Sequence, residues 1–261
     1  MAIKAFHGEM GFMHRIDLNC DLGEGAGRDA ELMPLIASAN IACGAHAGDE
    51  PTMRAAVELA LKHGVAIGAH PGFADRAHFG RCELPVTPAE AATLVFQQIQ
   101  TLQEIAVRAG AYVRHVKLHG ALYNMASRDR ALAEAIVDAV GGIEKKPMLY
   151  VLAGSQLEQA ARARRGIQVV AEVFADRTYQ PDGSLTPRSQ PGALIEDAGA
   201  AVAQVLRMVR EGRVRATDGT DVPIQADTVC VHGDGPHAVE FVRRLRAELQ
   251  AAGVAVEAPR A

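Results

Sequence analysis

Six short runs of ionisable residues hold the chemistry this chain could perform. In I-D-L-N-C-D-L-G-E-G, from Ile16 to Gly25, strand alternation puts Asp17, Asn19 and Asp21 on one side and Ile16, Leu18 and Cys20 on the other. Gly23 and Gly25 then permit a tight turn around Glu24. Three hydrogen-bonding side chains aimed at an interior, followed by another carboxylate, are costly to bury unless something is bound there. An amphipathic edge strand with its acids in water is the bland alternative.

His46, in G-A-H-A-G-D, and His70, in H-P-G, each follow a short strand-like run. With Asp21 they would make an Asp-His-His set with open positions, suited to a divalent metal that activates water. Histidines that simply hydrogen-bond a buried carboxylate would use the same residues. Lys117 and His119 are two apart and face the same way, a pair suited to holding a carboxylate or phosphate and moving a proton. The competing picture is a lysine that snorkels outward from a strand end. Glu172 ends another strand. Asp176, Arg177 and the later Arg188 lie in a polar loop and would either clamp an anionic substrate or form a solvated charge cluster. His232 and Asp234, in H-G-D-G-P-H, complete the set. The catalytic candidates are therefore Asp21, His46, His70, Lys117, His119 and Glu172. The substrate-binding candidates are Asp17, Asn19, Glu24, Asp176, Arg177, Arg188, His232 and Asp234. The chain has no G-x-S-x-G elbow, no G-x-x-x-x-G-K-[ST] loop and no strand-linked G-x-G-x-x-G, so hydrolysis or proton transfer on a small polar molecule is expected.

The elements that must position these residues follow from hydrophobic period and capping residues. A helix is expected from Asp29 to Ala39, with Leu32, Leu35 and Ile36 on one face. Asp49 can cap the next, and Thr87 with Glu90 forms a capping box for a long one ending near Ala109. Ser127 is read as starting a fourth helix, and Ser155 with Glu158 opens another. A helix is also expected from about Ala193 to Arg210, and Pro236 opens the last. The strands expected after the first are Asn40–Cys43, Val65–Ala69, Tyr112–Leu118, Met148–Ala153, Gln168–Val173 and Thr228–Val231. A small hairpin is expected near 213–225 around D-G-T-D. Seven strand-then-helix units call for a parallel sheet, doubly wound or closed into a barrel. Polar residues end six of the seven strands, which favours an α/β fold closed as a seven-stranded (β/α) barrel, because only a barrel gathers all its strand ends at one mouth.

With 261 residues, 49% hydrophobic residues and a formal net charge of −4, the chain reads as an ordinary globular protein with no nucleic-acid or membrane partner. No apolar run is long enough to span a bilayer and none reads as a secretion signal, so a cytoplasmic location is expected. The composition is compatible with a homo-oligomer. The four cysteines show no C-x-x-C or zinc-finger spacing and read as small buried hydrophobes. Residues 1–14 read as an N-terminal arm, poorly ordered or an upstream start, ahead of a single domain over 15–257.

The motifs I-D-L-N-C-D-L-G-E-G, A-N-I-A-C-G-A-H-A-G-D, G-A-H-P-G-F-A-D, V-K-L-H-G-A-L-Y-N, E-V-F-A-D-R-T-Y and V-H-G-D together resemble the LamB/YcsF family, in the same order from about Arg15 to Val254. The resemblance implies a seven-stranded barrel like that of glycoside hydrolases and polysaccharide deacetylases. It also implies ATP-dependent opening of the 5-oxoproline (pyroglutamate) lactam to glutamate, with ATP as co-substrate and two partner subunits, B and C. By analogy with deacetylases it suggests a divalent metal at Asp21, His46 and His70. Two other readings remain open at this point: a non-catalytic lactam-binding subunit, and a stand-alone metal-dependent amide or sugar deacetylase.

Overall fold

The computed structural model describes residues 14–188, 190–232 and 237–260. The N-terminal arm read from the sequence, but for His14, lies outside them, as does Asp234. Seven parallel strands close into a ring: β1 (His14–Leu22), β2 (Ser38–Ala42), β3 (Ala66–His70), β4 (His115–Lys117), β5 (Met148–Leu152), β6 (Val169–Phe174) and β9 (Thr228–Val231). Closure is made by Asp17–Cys20 of β1 against Thr228–Val231 of β9. A short antiparallel hairpin, β7 (Arg213–Arg215) and β8 (Asp221–Pro223), stands apart from the ring where D-G-T-D turns the chain.

An eighth strand, β10 (Val254–Val256), pairs with the first residues of β1. Ile16 O accepts from Glu257 N and Leu18 O from Ala37 N, so β10 occupies below β2 the same edge of β1 that β2 takes further along.

Alternation decides what each strand presents. Ile16, Leu18, Cys20 and Leu22 of β1 are buried in an aliphatic layer shared with the surrounding helices. The inward positions are polar instead: Asp17, Asn19, Ser38, Asn40, His115, Lys117, Glu172 and Thr228 are all buried. With Met148, Tyr150 and Val170 as a small apolar group among them, these residues make the interior largely a hydrogen-bonded plug, and the burial of its polar groups is tolerated because they satisfy one another.

The helices cover the ring in chain order: α2 (Glu50–His63), α3 (Pro88–Arg108), α4 (Gly120–Arg128), α5 (Arg130–Gly141), α6 (Gln156–Ala163), α7 (Ala198–Glu211) and α8 (Ala238–Ala251). Two regions depart from expectation. The helix read over Asp29–Ala39 is only α1 (Asp29–Leu32) followed by a 3-10 turn at Met33–Leu35, because Pro34 has no N–H to continue it and its ring would strike the carbonyl one turn back. The helix read from Ser127 starts at Arg130 as α5, since Asp129 accepts from Leu132 N and caps it, and a further helix, α4 at Gly120–Arg128, precedes it where none was expected.

At the N-terminus of α3 both arms of the capping box form: Glu90 N donates to Thr87 Oγ1 (3.3 Å) and Thr87 N to Glu90 Oε2 (2.8 Å). Thr87→Ala removes the hydroxyl arm at a solvent-exposed site, and we expect a loss of about 1 kcal/mol in denaturant unfolding with an unchanged m-value. An unaltered midpoint would show that the box contributes nothing to stability.

Candidate active site

Every strand of the ring sends its C-terminal end to one mouth, and there two clusters form. The first begins where β1 ends. Gly23 N donates to Asp29 Oδ2 (2.8 Å), which folds the glycine turn back and holds Glu24 over the mouth. Glu24 Oε1 lies 3.2 Å from His46 Nε2, 3.4 Å from His119 Nδ1 and 3.8 Å from His70 Nε2. The rings of His46 and His119 stack in parallel, with centroids 3.7 Å apart. That stack is possible because Gly80, at φ +62°, has no side chain: a Cβ there would come within 2.8 Å of the Cβ of His46.

Two backbone carbonyls fix the tautomers. His70 Nδ1 donates to Lys117 O (2.8 Å) and His119 Nε2 donates to Phe79 O (2.8 Å). The remaining nitrogens, His70 Nε2 and His119 Nδ1, therefore face each other at 2.9 Å, each with a lone pair when its ring is neutral. Two lone pairs in such contact demand a positive species between them, either a proton or a metal ion. Asp21 is poised for the first case, with Oδ2 3.4 Å from His70 Nε2. Although burial opposes charging of His70, the Asp21 and Glu24 carboxylates raise its pKa. Burial and the neighbouring His70 hold both His46 and His119 down at about 3, as neutral nitrogen donors. Burial, with Asp21 nearby, raises Glu24.

For the second case, the donor atoms of Glu24, His46, His70 and His119 all lie within 4.8 Å of one another. Three imidazole nitrogens and one carboxylate oxygen suit a borderline divalent ion such as zinc. The metal set expected from sequence was Asp21, His46 and His70. In the structure Glu24 and His119 complete the histidine cluster, and Asp21 sits beside it, committed to Lys117 Nζ (3.0 Å) and Asn40 Nδ2 (2.8 Å). Burial works against ionisation of Asp21, but His70 and Lys117 outweigh it and hold its carboxyl well below the usual range.

Beneath this cluster lies the floor. Lys117 Nζ contacts Asp21 Oδ1 and Glu172 Oε1, both at 3.0 Å, Asn19 Oδ1 at 3.2 Å and Cys230 Sγ at 3.0 Å. Glu172 Oε2 accepts from Tyr123 Oη at 2.6 Å. Lys117 and Glu172, expected to act on substrate, are thus mutually neutralised and buried. Asn19, expected to bind substrate, is used up by Glu172, Thr228 and Asn40.

Asp17 lies lower still, 1% exposed, and accepts from Ser38, Tyr150 and Thr228 hydroxyls at 2.6–2.9 Å. A ligand at the mouth is separated from it by the whole polar layer, so its expected role as a substrate contact is corrected to a structural one. Burial, partly offset by those hydroxyls, pushes the Asp17 carboxyl up to about 6 from 3.8. The folded protein then holds this proton more tightly than the unfolded chain. The stability it confers is full below about 3.8 and falls as pH rises through about 6. Compared with Asp17→Asn, the unsubstituted protein should lose roughly 3 kcal/mol over that window in urea titrations. A gap between the two proteins that stays constant with pH would show an ordinary carboxyl.

The second cluster belongs to the β6 and β9 ends. His232 Nδ1 donates to Asp176 Oδ2 (2.8 Å), and Arg188 Nη2 donates to His232 Nε2 (3.0 Å). Burial opposes the charge on Asp176, yet His232 and Arg188 lower its pKa. Arg177 is buried, donates Nη2 to Thr186 O (2.6 Å), and leaves its Nε unpartnered. The donor atoms of Asp21, Cys230 and His232 lie within 4.8 Å of one another, which joins the two clusters.

Three residues of these layers escaped the sequence reading. His115 faces inward two positions before Lys117, bonds Asn40 Oδ1 at 2.8 Å and stacks on Tyr150. The H-V-K-L-H alternation carried that signal. Cys230, read as a small hydrophobe, faces inward by the same parity as His232 and touches Lys117. Tyr123 comes from a helix, where strand parity gives no cue.

A model of the LamB/YcsF family matches residues 16–261. The A subunit of 5-oxoprolinase from Geobacillus kaustophilus is 54% identical over 252 residues, covering 95% of this chain and 98% of that protein. Its counterpart from Bordetella pertussis is 54% identical and covers 93% and 98%. Among solved structures, a lactam utilization protein from Thermus thermophilus superposes with a TM-score of 0.88 at 46% identity, over 94% of this chain and 100% of its own. A family 4 carbohydrate esterase from Streptomyces lividans superposes at 0.50 with 10% identity over 94% of this chain and 93% of its own, a likeness of fold alone.

Proposed function

The chain belongs to the LamB/YcsF family, and from that premise we propose that it is the A subunit of an ATP-dependent 5-oxoprolinase. In this reading it opens the 5-oxoproline lactam to glutamate together with subunits B and C. The relatives at 54% identity over nearly their whole length support the substrate. The single structural observation that carries a catalytic role is the mouth itself, where His70 Nε2 and His119 Nδ1 converge at 2.9 Å beside Glu24 and His46. So concentrated a set of nitrogen and carboxylate donors supports a catalytic role over that of a passive scaffold.

A lactam amide resists water, and ATP would make its carbonyl oxygen a leaving group. The sequence has no phosphate-binding loop, so that phosphorylation falls to the partners or is shared with them. Glu24, His46, His70 and His119 would hold a divalent ion, which when bound supplies Lewis acidity and a more acidic water. Asp21 keeps His70 oriented, and Lys117 neutralises Asp21 and Glu172 without leaving the floor. Arg177, with its free Nε, and Arg188 would take the substrate carboxylate.

The test is glutamate release from 5-oxoproline and ATP by this chain alone and with B and C. Turnover only in the complete mixture is expected. Chelation should remove it and a divalent ion restore it, with metal content measured in parallel. Release of acetate from an acetylated amino sugar without ATP would instead establish the stand-alone deacetylase reading, which the histidine-rich donor set also suits.

A further inference from the structure

We propose that Arg188 is a latch on the Asp176–His232 pair, and that the carboxylate of the substrate opens it. This rests on the lactam-acid reading above. Because His232 Nδ1 donates to Asp176, the basic lone pair of the imidazole is on Nε2. Arg188 Nη2 occupies that lone pair at 3.0 Å. The half-buried Asp176 and the stacked ring of Phe174 hold the imidazole in place. Arg188 is the exposed member of the trio.

The contact is also a weak use of a guanidinium. A neutral imidazole is a poorer acceptor than a carboxylate, whose bond to a cation is about twice as strong as a neutral one. Arg177 stands next in the chain to Asp176, buried, with Nε unpartnered, and its pKa is lowered by burial and by the charge of Arg188. Two guanidiniums sharing one region, one of them with an unpartnered Nε, call for an anion. A carboxylate that draws Arg188 toward Arg177 satisfies both and uncovers His232 Nε2.

His232 also belongs to the group formed with Asp21 and Cys230, which joins it to the histidine cluster. On the lactam phosphorylated at its carbonyl oxygen, a water oxygen bonds to the carbonyl carbon as one water proton passes to Nε2. The bond from that carbon to the ring nitrogen then breaks as Nε2 passes its proton to the nitrogen and the other water proton leaves to solvent, giving an acyl phosphate that a second water splits into the carboxylate and inorganic phosphate. The imidazole ends as it began. Such a latch makes the carboxylate a condition of catalysis and so distinguishes 5-oxoproline from a plain lactam such as 2-pyrrolidinone.

The experiment uses the full chain labelled with nitrogen-15 histidine and reads the Nε2 resonance of His232, assigned by His232→Gln. In the free protein Nε2 should show a hydrogen-bonded lone pair, and in Arg188→Gln an unbonded one. Saturating 5-oxoproline should move the unsubstituted protein to the variant's value, whereas 2-pyrrolidinone should not. Arg188→Gln should bind 5-oxoproline about 30-fold more weakly by calorimetry. Identical Nε2 shifts in the free protein and the variant overturn the latch whatever the substrate is. Measured 5-oxoproline binding with no Nε2 response overturns it while leaving the substrate reading intact. A free-state difference between the two proteins without any 5-oxoproline binding supports the Arg188 contact and sinks the substrate reading, and with it the trigger.

Discussion

Glu24→Gln is expected to lower 5-oxoproline turnover by the reassembled three-subunit enzyme by about 10³-fold, while the chain stays folded. Glu24 stands on a turn at the mouth and is only partly buried, so the substitution removes charge without opening a cavity. Among the described residues its Oε1 is the one carboxylate oxygen within 3.8 Å of all three mouth histidines. An amide oxygen is a poor metal ligand and carries no charge to balance a shared proton. Metal content, measured on the purified chain, should fall together with turnover. Turnover within threefold of normal would remove Glu24 from the site. Lost turnover with full metal content would assign the carboxylate to proton transfer instead.

Gly68→Ala should cripple folding, at a position in the buried layer beneath the mouth. The inward face of β3 at Gly68 is filled by the imidazole of His115, and an added Cβ would lie 2.0 Å from its Nε2 and 2.3 Å from two ring carbons. The ring has nowhere to go: it stacks on Tyr150 with centroids 4.2 Å apart and bonds Asn40 Oδ1 at 2.8 Å. Overpacking costs about 1–3 kcal/mol. Forcing the ring out adds about 1–3 kcal/mol for the buried carbonyl left unpaired. The sum is of the order of 4 kcal/mol, a large share of a typical domain's stability, and should lower the melting temperature by about 10 °C or leave the protein insoluble. The effect is specific, because His115→Ala vacates that space. Adding Gly68→Ala to His115→Ala should cost little more than His115→Ala alone. Fully additive losses would mean that the glycine matters for the backbone and not for the ring.

Strand parity made much of the fold legible. The run from Ile16 to Leu22 shows in its own alternation which residues meet helices and which meet the barrel interior, and the ring obeys it. The polar residues after strand ends marked the mouth for the same reason. Depth was harder to read. Asp17, Asn19 and Asp21 share a face, but only the layers of side chains from other strands decide that Asp17 is sealed beneath Asn19 and that Asp21 reaches the mouth. Pairing was harder again. Lys117 looked available for a substrate because its partners, Glu172 and Cys230, are more than fifty positions away in the chain. Glu24 joins the histidines because a glycine turn bends it back over the strand that precedes it, and no periodicity predicts the direction of a turn.

The way the ring closes has a consequence for biosynthesis. Asp17–Cys20 and Thr228–Val231 are hydrogen-bonded neighbours, although almost the whole chain separates them. A ribosome adding residues in order therefore exposes the edge of β1, and the charged side chains beside it, until the last ring strand emerges. At about 5–20 residues per second that interval is of the order of ten seconds or more. During it, an open parallel sheet with a polar inner face and an unpaired first strand is a template for pairing with another nascent chain. Expression at reduced temperature or with added chaperone should therefore raise the yield of native protein far more than it would for a helical bundle of the same length.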